Sequence, residues 1–168
     1  VLFRLSPSAL HAWRIWLLRV FGADIGRDCR ISPSVKIFAP WNLICEDLVQ
    51  IEDDVDIYNP GATWLGTHCC ISRGALLCGA TLDYASFEPR RVSAPIAIGR
   101  YAWIGARASV TMGVSVGNGA ILGLGSIATR DLEPWIVYAG VPARPIRPRP
   151  RVDRAEAERS SGLGTRDS

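Results

Sequence analysis

The sequence predicts an all-β fold: a parallel β-helix wound from six-residue repeats. Three observations predict it. Aliphatic residues recur at every sixth position through Ile98, Ile104, Val110, Val116 and Leu122, with Ala128 closing the series. Four residues after each of the first five stands a small or β-branched residue: Ala102, Ala108, Val114, Ala120 and Ser126. Glycine directly follows Ile98, Ile104, Val116 and Leu122. Such a spacing is neither the helix period of about 3.6 nor the plain strand period of about 2. It suits short strands joined by tight corners, each strand sending one aliphatic side chain inward. Three repeats then complete a triangular coil, and successive coils pair in parallel at roughly 4.8 Å. The second inward position must be small because the prism narrows near its corners. Glycine suits corners that need positive φ.

The same ruler fits earlier segments. Ile25, Ile31, Ile37 and Leu43 carry Cys29, Val35 and Trp41 in the small slots. Ile51 and Ile57 carry Val55, while Leu65, Ile71 and Leu77 carry Cys69 and Ala75. Cys29 and Cys69 therefore read as packing residues. The chain divides into an N-terminal amphipathic helix (1–22), the β-helix (23–132), a C-terminal extension (133–149) and a charged, Ser/Gly-rich tail (150–168) that reads as disordered. The ruler breaks over 80–95, which predicts an extruded loop. The helix runs from Ser8 to Phe21, with Ser6 or Ser8 as its N-cap. It carries Trp13, Trp16, Leu17, Val20 and Phe21 beside Arg14 and Arg19. A helix of this kind either closes the open end of the solenoid or makes peripheral membrane contact through residues 8–21. The two roles are compatible if the tryptophans face opposite ways.

Composition bounds the function. The chain has 168 residues, enough for one domain, and its 48% hydrophobic content is that of a folded protein. A net charge of +3 is too small to argue for nucleic acid. Five cysteines without a CxxC pair argue against a metal site and for reduced thiols in a cytoplasm. The uncharged run from Ala108 to Thr129 has the length of a membrane span, but its five glycines and six-residue period assign it to the solenoid. The chain opens on Val1 and not on methionine, which leaves an upstream segment open.

Three further segments carry a resemblance. They are Ala102-Trp103-Ile104-Gly105-Ala106, the run from Gly123 to Asp131, and the run from Ala139 to Arg147. Pro40-Trp41-Asn42-Leu43 and Ile57-Tyr58-Asn59 add to them. In these residues the chain resembles the hexapeptide-repeat O-acetyltransferases of the colanic-acid-biosynthesis type, which are similar to the maltose and galactoside acetyltransferases. The likeness covers about residues 14 to 149. It implies left-handed winding, against the usual right-handed crossover rule. It also implies a homotrimer with acetyl-CoA in a groove between adjacent prisms, a saccharide acceptor that is lipid-linked in one version of the reading, no metal, and a cytoplasmic location at the inner face of the membrane.

The resemblance assigns cofactor contacts to Trp103, Ala106, Leu124, Thr129, Arg130, Arg144 and Arg147. Leu124 stands where the family often has alanine. The arginines suit phosphates through bidentate, charge-assisted bonds; the alternative for them is a solvated tail, and for Trp103 packing between subunits. Asn59, Asp83 and Tyr84 are assigned to the acceptor. Family members carry a histidine in the extruded loop as general base, and Leu82 occupies that position, between Thr81 and Asp83. Leucine takes no proton, so no catalytic residue is assigned at that position; Asp83 and His68 are the remaining candidates. The resulting expectation is an acetyl-CoA-dependent O-acetyltransferase acting on a saccharide hydroxyl in surface-polysaccharide synthesis, with its turnover in doubt. The alternative is a weak or inactive trimeric CoA-binding or scaffold protein of the same fold.

Overall fold

The computed structural model describes residues 11–150 apart from Tyr84, Ser86 and Pro89. The expected N-cap serines, the tail after Pro150 and the side chain of His11 lie outside the described residues. One helix, α1 (His11–Val20), precedes a stack of coils with three faces among the described residues. The first coil is Asp24–Ile25, Arg30–Ile31 and Lys36–Ile37. The second is Leu43–Cys45, Gln50–Ile51 and Asp56–Tyr58, and the third is Thr63–Leu65, Cys70–Ile71 and Leu76–Cys78. The fourth is Ile96–Ile98, Trp103–Ile104 and Ser109–Thr111, and the fifth is Ser115–Val116, Ile121–Leu122 and Ile127–Ala128. Every coil-to-coil pairing is parallel, as the six-residue ruler requires.

The core is a set of vertical columns. On the second face Ile31, Ile51, Ile71, Ile104, Leu122 and Tyr138 stand in register and are all buried. Each column is a continuous apolar ladder, so a coil is stable only with neighbours above and below. The small slots hold Cys29, Val49, Cys69, Ala102 and Ala120 at one corner, again buried. Burial pushes the thiols of Cys45 and Cys69 well up, so neither forms a thiolate readily. Their role is packing.

Two expectations need correction. Trp41 does not fill a small slot: it is 64% exposed in the short 3-10 turn Pro40–Asn42. That turn lengthens the corner, so twenty residues separate Ile25 from Cys45 where eighteen separate Ile98 from Val116. Leu43 takes the slot and Cys45 the aliphatic position. The glycines after Ile98 and Ile104 are not there for positive φ. A Cβ on Gly99 would lie 2.7 Å from the amide nitrogen of Asn118, and one on Gly105 2.7 Å from the carbonyl oxygen of Leu122. Close approach of the next coil excludes a side chain there. The left-handed conformation falls elsewhere in the corner, often on residues that are not glycine, including Leu48, His68, Tyr101 and Arg107.

The first coil is an open sheet edge, and α1 closes it. Arg14 is fully buried and donates from Nε to the carbonyl of Ile31 at 2.9 Å. Arg19 donates from Nη2 to the carbonyl of Ile25 at 2.6 Å. Leu18 and the half-buried Ile15 join the core. Trp13 and Trp16 do not face opposite ways. They stack on each other at 4.9 Å and are exposed. At the other end the chain extends one face: Ile136–Gly140 adds to the second face, and Ala143–Pro148 returns antiparallel beside it. The uncharged run of the sequence lies in the fourth and fifth coils, and among the described residues no helix is long and apolar enough to cross a membrane.

Candidate active site

The break in the ruler is a hairpin. Ala80–Asp83 pairs antiparallel with Arg90–Ser93, leaving the stack at the corner between the third and first faces. Its root is tight. Gly79 donates its amide to the carbonyl of Tyr58 at 2.7 Å, and a Cβ there would come within 3.0 Å of that oxygen. The Arg91 guanidinium lies 5.9 Å over the Tyr58 ring, which meets Phe38 edge-on at 4.9 Å. This cation–aromatic contact holds the returning strand against the stack. Nothing in the six-residue period marks Arg91 or Phe38; the signal for Tyr58 was its place in Ile57-Tyr58-Asn59.

Leu82 sits in the first strand of the hairpin, opposite Arg91, and is 55% exposed. Within one chain it is not a core residue. Asp83 accepts a hydrogen bond from the amide of Ala85 at 3.0 Å and so shapes the hairpin turn. Tyr84 lies outside the described residues. His68 stands at a different corner, between the first and second faces, stacked on Tyr101 at 5.0 Å. Counting residues suggested that His68 could reach the base of the loop; within one chain it lies across the first face from it. Asn59 is also corrected. Its side chain is 1% exposed, and its amide both accepts from and donates to the backbone of Ala39 at 3.0 and 2.9 Å. It staples the corner.

The proposed cofactor residues fall on two edges. Trp103 points outward on the second face, its Nε1 donating to Ser72 Oγ at 2.9 Å. The register places Trp103, Ile121, Val137 and Arg147 in one outward column. Arg144 pairs with Ala139 beside it. Neither arginine has an ion pair or a side-chain hydrogen bond among the described residues. At the corner that follows, Ala106 and Leu124 lie on successive coils, joined by the Gly125 amide to the Ala106 carbonyl at 2.9 Å. Leu124 is 76% exposed, so its bulk stands over the surface and not in the core. Thr129 and Arg130 are exposed at the hairpin's corner, on the far side of the third face. These residues fit an extended ligand with an apolar arm and phosphates: an aromatic and aliphatic strip ends in two free guanidiniums. No group of side chains able to hold a metal occurs among the described residues.

The architecture defines a class. A maltose O-acetyltransferase from Clostridium difficile 630 superposes with a TM-score of 0.83 at 20% identity, over 89% of this chain and 82% of that one. A hexapeptide-repeat acetyltransferase from Vibrio cholerae O1 biovar eltor, complexed with acetyl coenzyme A, does so at 0.80 and 22%, with the same coverage. At this identity the likeness is one of fold: the hexapeptide-repeat β-helix. No family model matches the chain. A protein of Escherichia coli (strain K12) to which colanic acid biosynthesis acetyltransferase activity is ascribed, WcaF, is 39% identical over 148 residues, which is 88% of this chain and 81% of its own length. The chain belongs to this family of hexapeptide-repeat acetyltransferases.

Proposed function

We propose that the protein transfers the acetyl group of acetyl-CoA to a hydroxyl of a saccharide used in surface-polysaccharide synthesis, at a rate limited by the loss of its general base. The observation that carries this reading is similarity along 88% of the chain, combined with a hairpin that keeps its place and presents Leu82. When bound, acetyl-CoA supplies a thioester whose carbonyl carbon an acceptor hydroxyl oxygen attacks, with cleavage of the carbon–sulfur bond. Arg144 and Arg147 hold the phosphates, and Trp103, Ala106 and Leu124 flank the pantetheine arm. Thr129 and Arg130 close the groove from the opposite edge. One chain keeps these two edges apart, so a groove between adjacent copies of a homotrimer unites them. The location proposed is the cytoplasm.

A sugar hydroxyl is barely ionised at neutral pH, and a positioned base contributes about 10²–10⁴-fold. Leu82 offers none. Catalysis is then left to hydrogen-bond donors that stabilise the oxyanion. Leu82 also favours a second reading, in which the protein is a weak or inactive CoA-binding or scaffold trimer. The test is transfer of labelled acetyl from acetyl-CoA to a panel of mono- and oligosaccharides, beside calorimetric titration with CoA. Slow acetylation of a sugar with measurable CoA heat is expected. CoA heat without acetylated product supports the scaffold, and absence of both overturns the proposal.

A further inference from the structure

We propose that the helix end of the solenoid docks on an anionic membrane surface, with the outward face of α1 as its contact. An ordinary surface helix turns its charges to water and its apolar stripe to the core. Here Leu18 and Ile15 do face the core, but the arginines face it too and the rest of the apolar set faces out. Arg14 and Arg19 point at the carbonyls of the first coil, and Trp13, Trp16, Val20 and Phe21 are left exposed. Trp41 extends this surface at the helix C-terminus, where its Cβ lies 3.0 Å from the position of a Cβ on Gly22. Capping is already accomplished by the other face, so the solenoid itself does not account for the exposed tryptophans. Tryptophan prefers the boundary between headgroups and acyl chains, where an apolar ring and an N–H are both accommodated.

Charge selects the occupant. Among the described residues the exposed basic ones of this end are Arg19, Arg27, Arg30 and Lys36, against Asp24 and Asp28; Arg27 and Lys36 also pair with Asp47 and Asp56 of the next coil, which leaves Arg19 and Arg30 without an ion pair there. The next coil, residues 38–57, holds Glu46, Asp47, Glu52, Asp53, Asp54 and Asp56 and no basic residue. The molecule therefore has a basic, aromatic end backed by an acidic girdle. An anionic surface attracts the first and repels the second, which orients the solenoid end-on. A second copy brings the same basic end and gains no such attraction. Among the described residues no helix is long and apolar enough to span, and the contact proposed is peripheral.

The experiment is co-sedimentation of the full chain with phosphatidylcholine vesicles, alone or with about 30% phosphatidylglycerol. Binding to the anionic vesicles is expected, about tenfold weaker to the neutral ones and about tenfold weaker for the W13Q/W16Q pair. Both tryptophans are exposed, so the melting temperature should hold. Arg30→Glu with Lys36→Glu leaves α1 untouched and should weaken anionic binding by a similar factor. Lack of binding to anionic vesicles at low salt overturns the proposal. So does equal binding by W13Q/W16Q, or a fall in sedimenting mass for that variant, which would make a second copy the occupant.

Discussion

The two ends of the stack use the same residue type for opposite purposes. At the helix end Arg14 is buried and Arg19 is tied down, both donating to open-edge carbonyls of the first coil. At the strand end two further strands extend the second face by backbone pairing, and Arg144 and Arg147 on the outer one make no ion pair or side-chain hydrogen bond among the described residues. A guanidinium that completes a backbone ladder belongs to folding. One that the backbone does not need is available to a ligand. Arginine content alone tells nothing of this division; the state of the nearest sheet edge does.

The sharpest break of that comparison is Arg14→Met. It removes a buried donor and leaves the Ile31 carbonyl unpaired, so unfolding in urea should show a loss of about 2–3 kcal/mol. CoA affinity of the folded fraction should be unchanged. Arg147→Ala should do the reverse: calorimetry should show CoA binding weakened about tenfold, with an unchanged denaturation midpoint. A variant at either end that moves both readouts would erase the distinction.

Between the ends the stack offers smaller effects. Thr63 fills an inward slot beside Leu43 and Ile96, and its hydroxyl is buried without a partner. Thr63→Val should raise stability by about 1 kcal/mol in the same urea experiment. Glu46 accepts from the hydroxyl and amide of Thr67 and pairs with Arg100, contacts that hold its carboxyl down to about 2 from an ordinary 4.5. Its folded-state value is depressed, so its contribution is complete above about pH 4.5 and is lost as the pH falls toward 2. Glu46→Gln should flatten melting temperature against pH in that window. The pair is substantially exposed, so the change is small.

The sequence was legible where its period was unbroken. From Ile98 to Ala128 every corner has the same length, so each inward residue follows from the one before. Over Ile37 to Cys45 the Pro40–Asn42 turn adds residues without changing the apolar pattern, so the period alone places Trp41 in an inward slot. The helix was legible as a helix, but periodicity cannot tell an apolar stripe facing in from one facing out. That choice was made by edge carbonyls, which lie in another segment. Corner glycines were recognisable, although their reason was contact between coils and not φ. The extruded segment was readable from the broken period, though not its form as a hairpin. The placement of His68 was not, because residue counts do not say which corner a residue occupies.

The central claim is that a working acetyl-transfer groove lacks only the proton acceptor at position 82. The measurement that tests it most directly is turnover of Leu82→His against the unaltered chain, across pH, on the best sugar acceptor. The account predicts a rise of at least about tenfold, growing with pH through the ordinary histidine range near 6.5 as the imidazole loses its proton. Equal turnover for the two chains at every pH would contradict it.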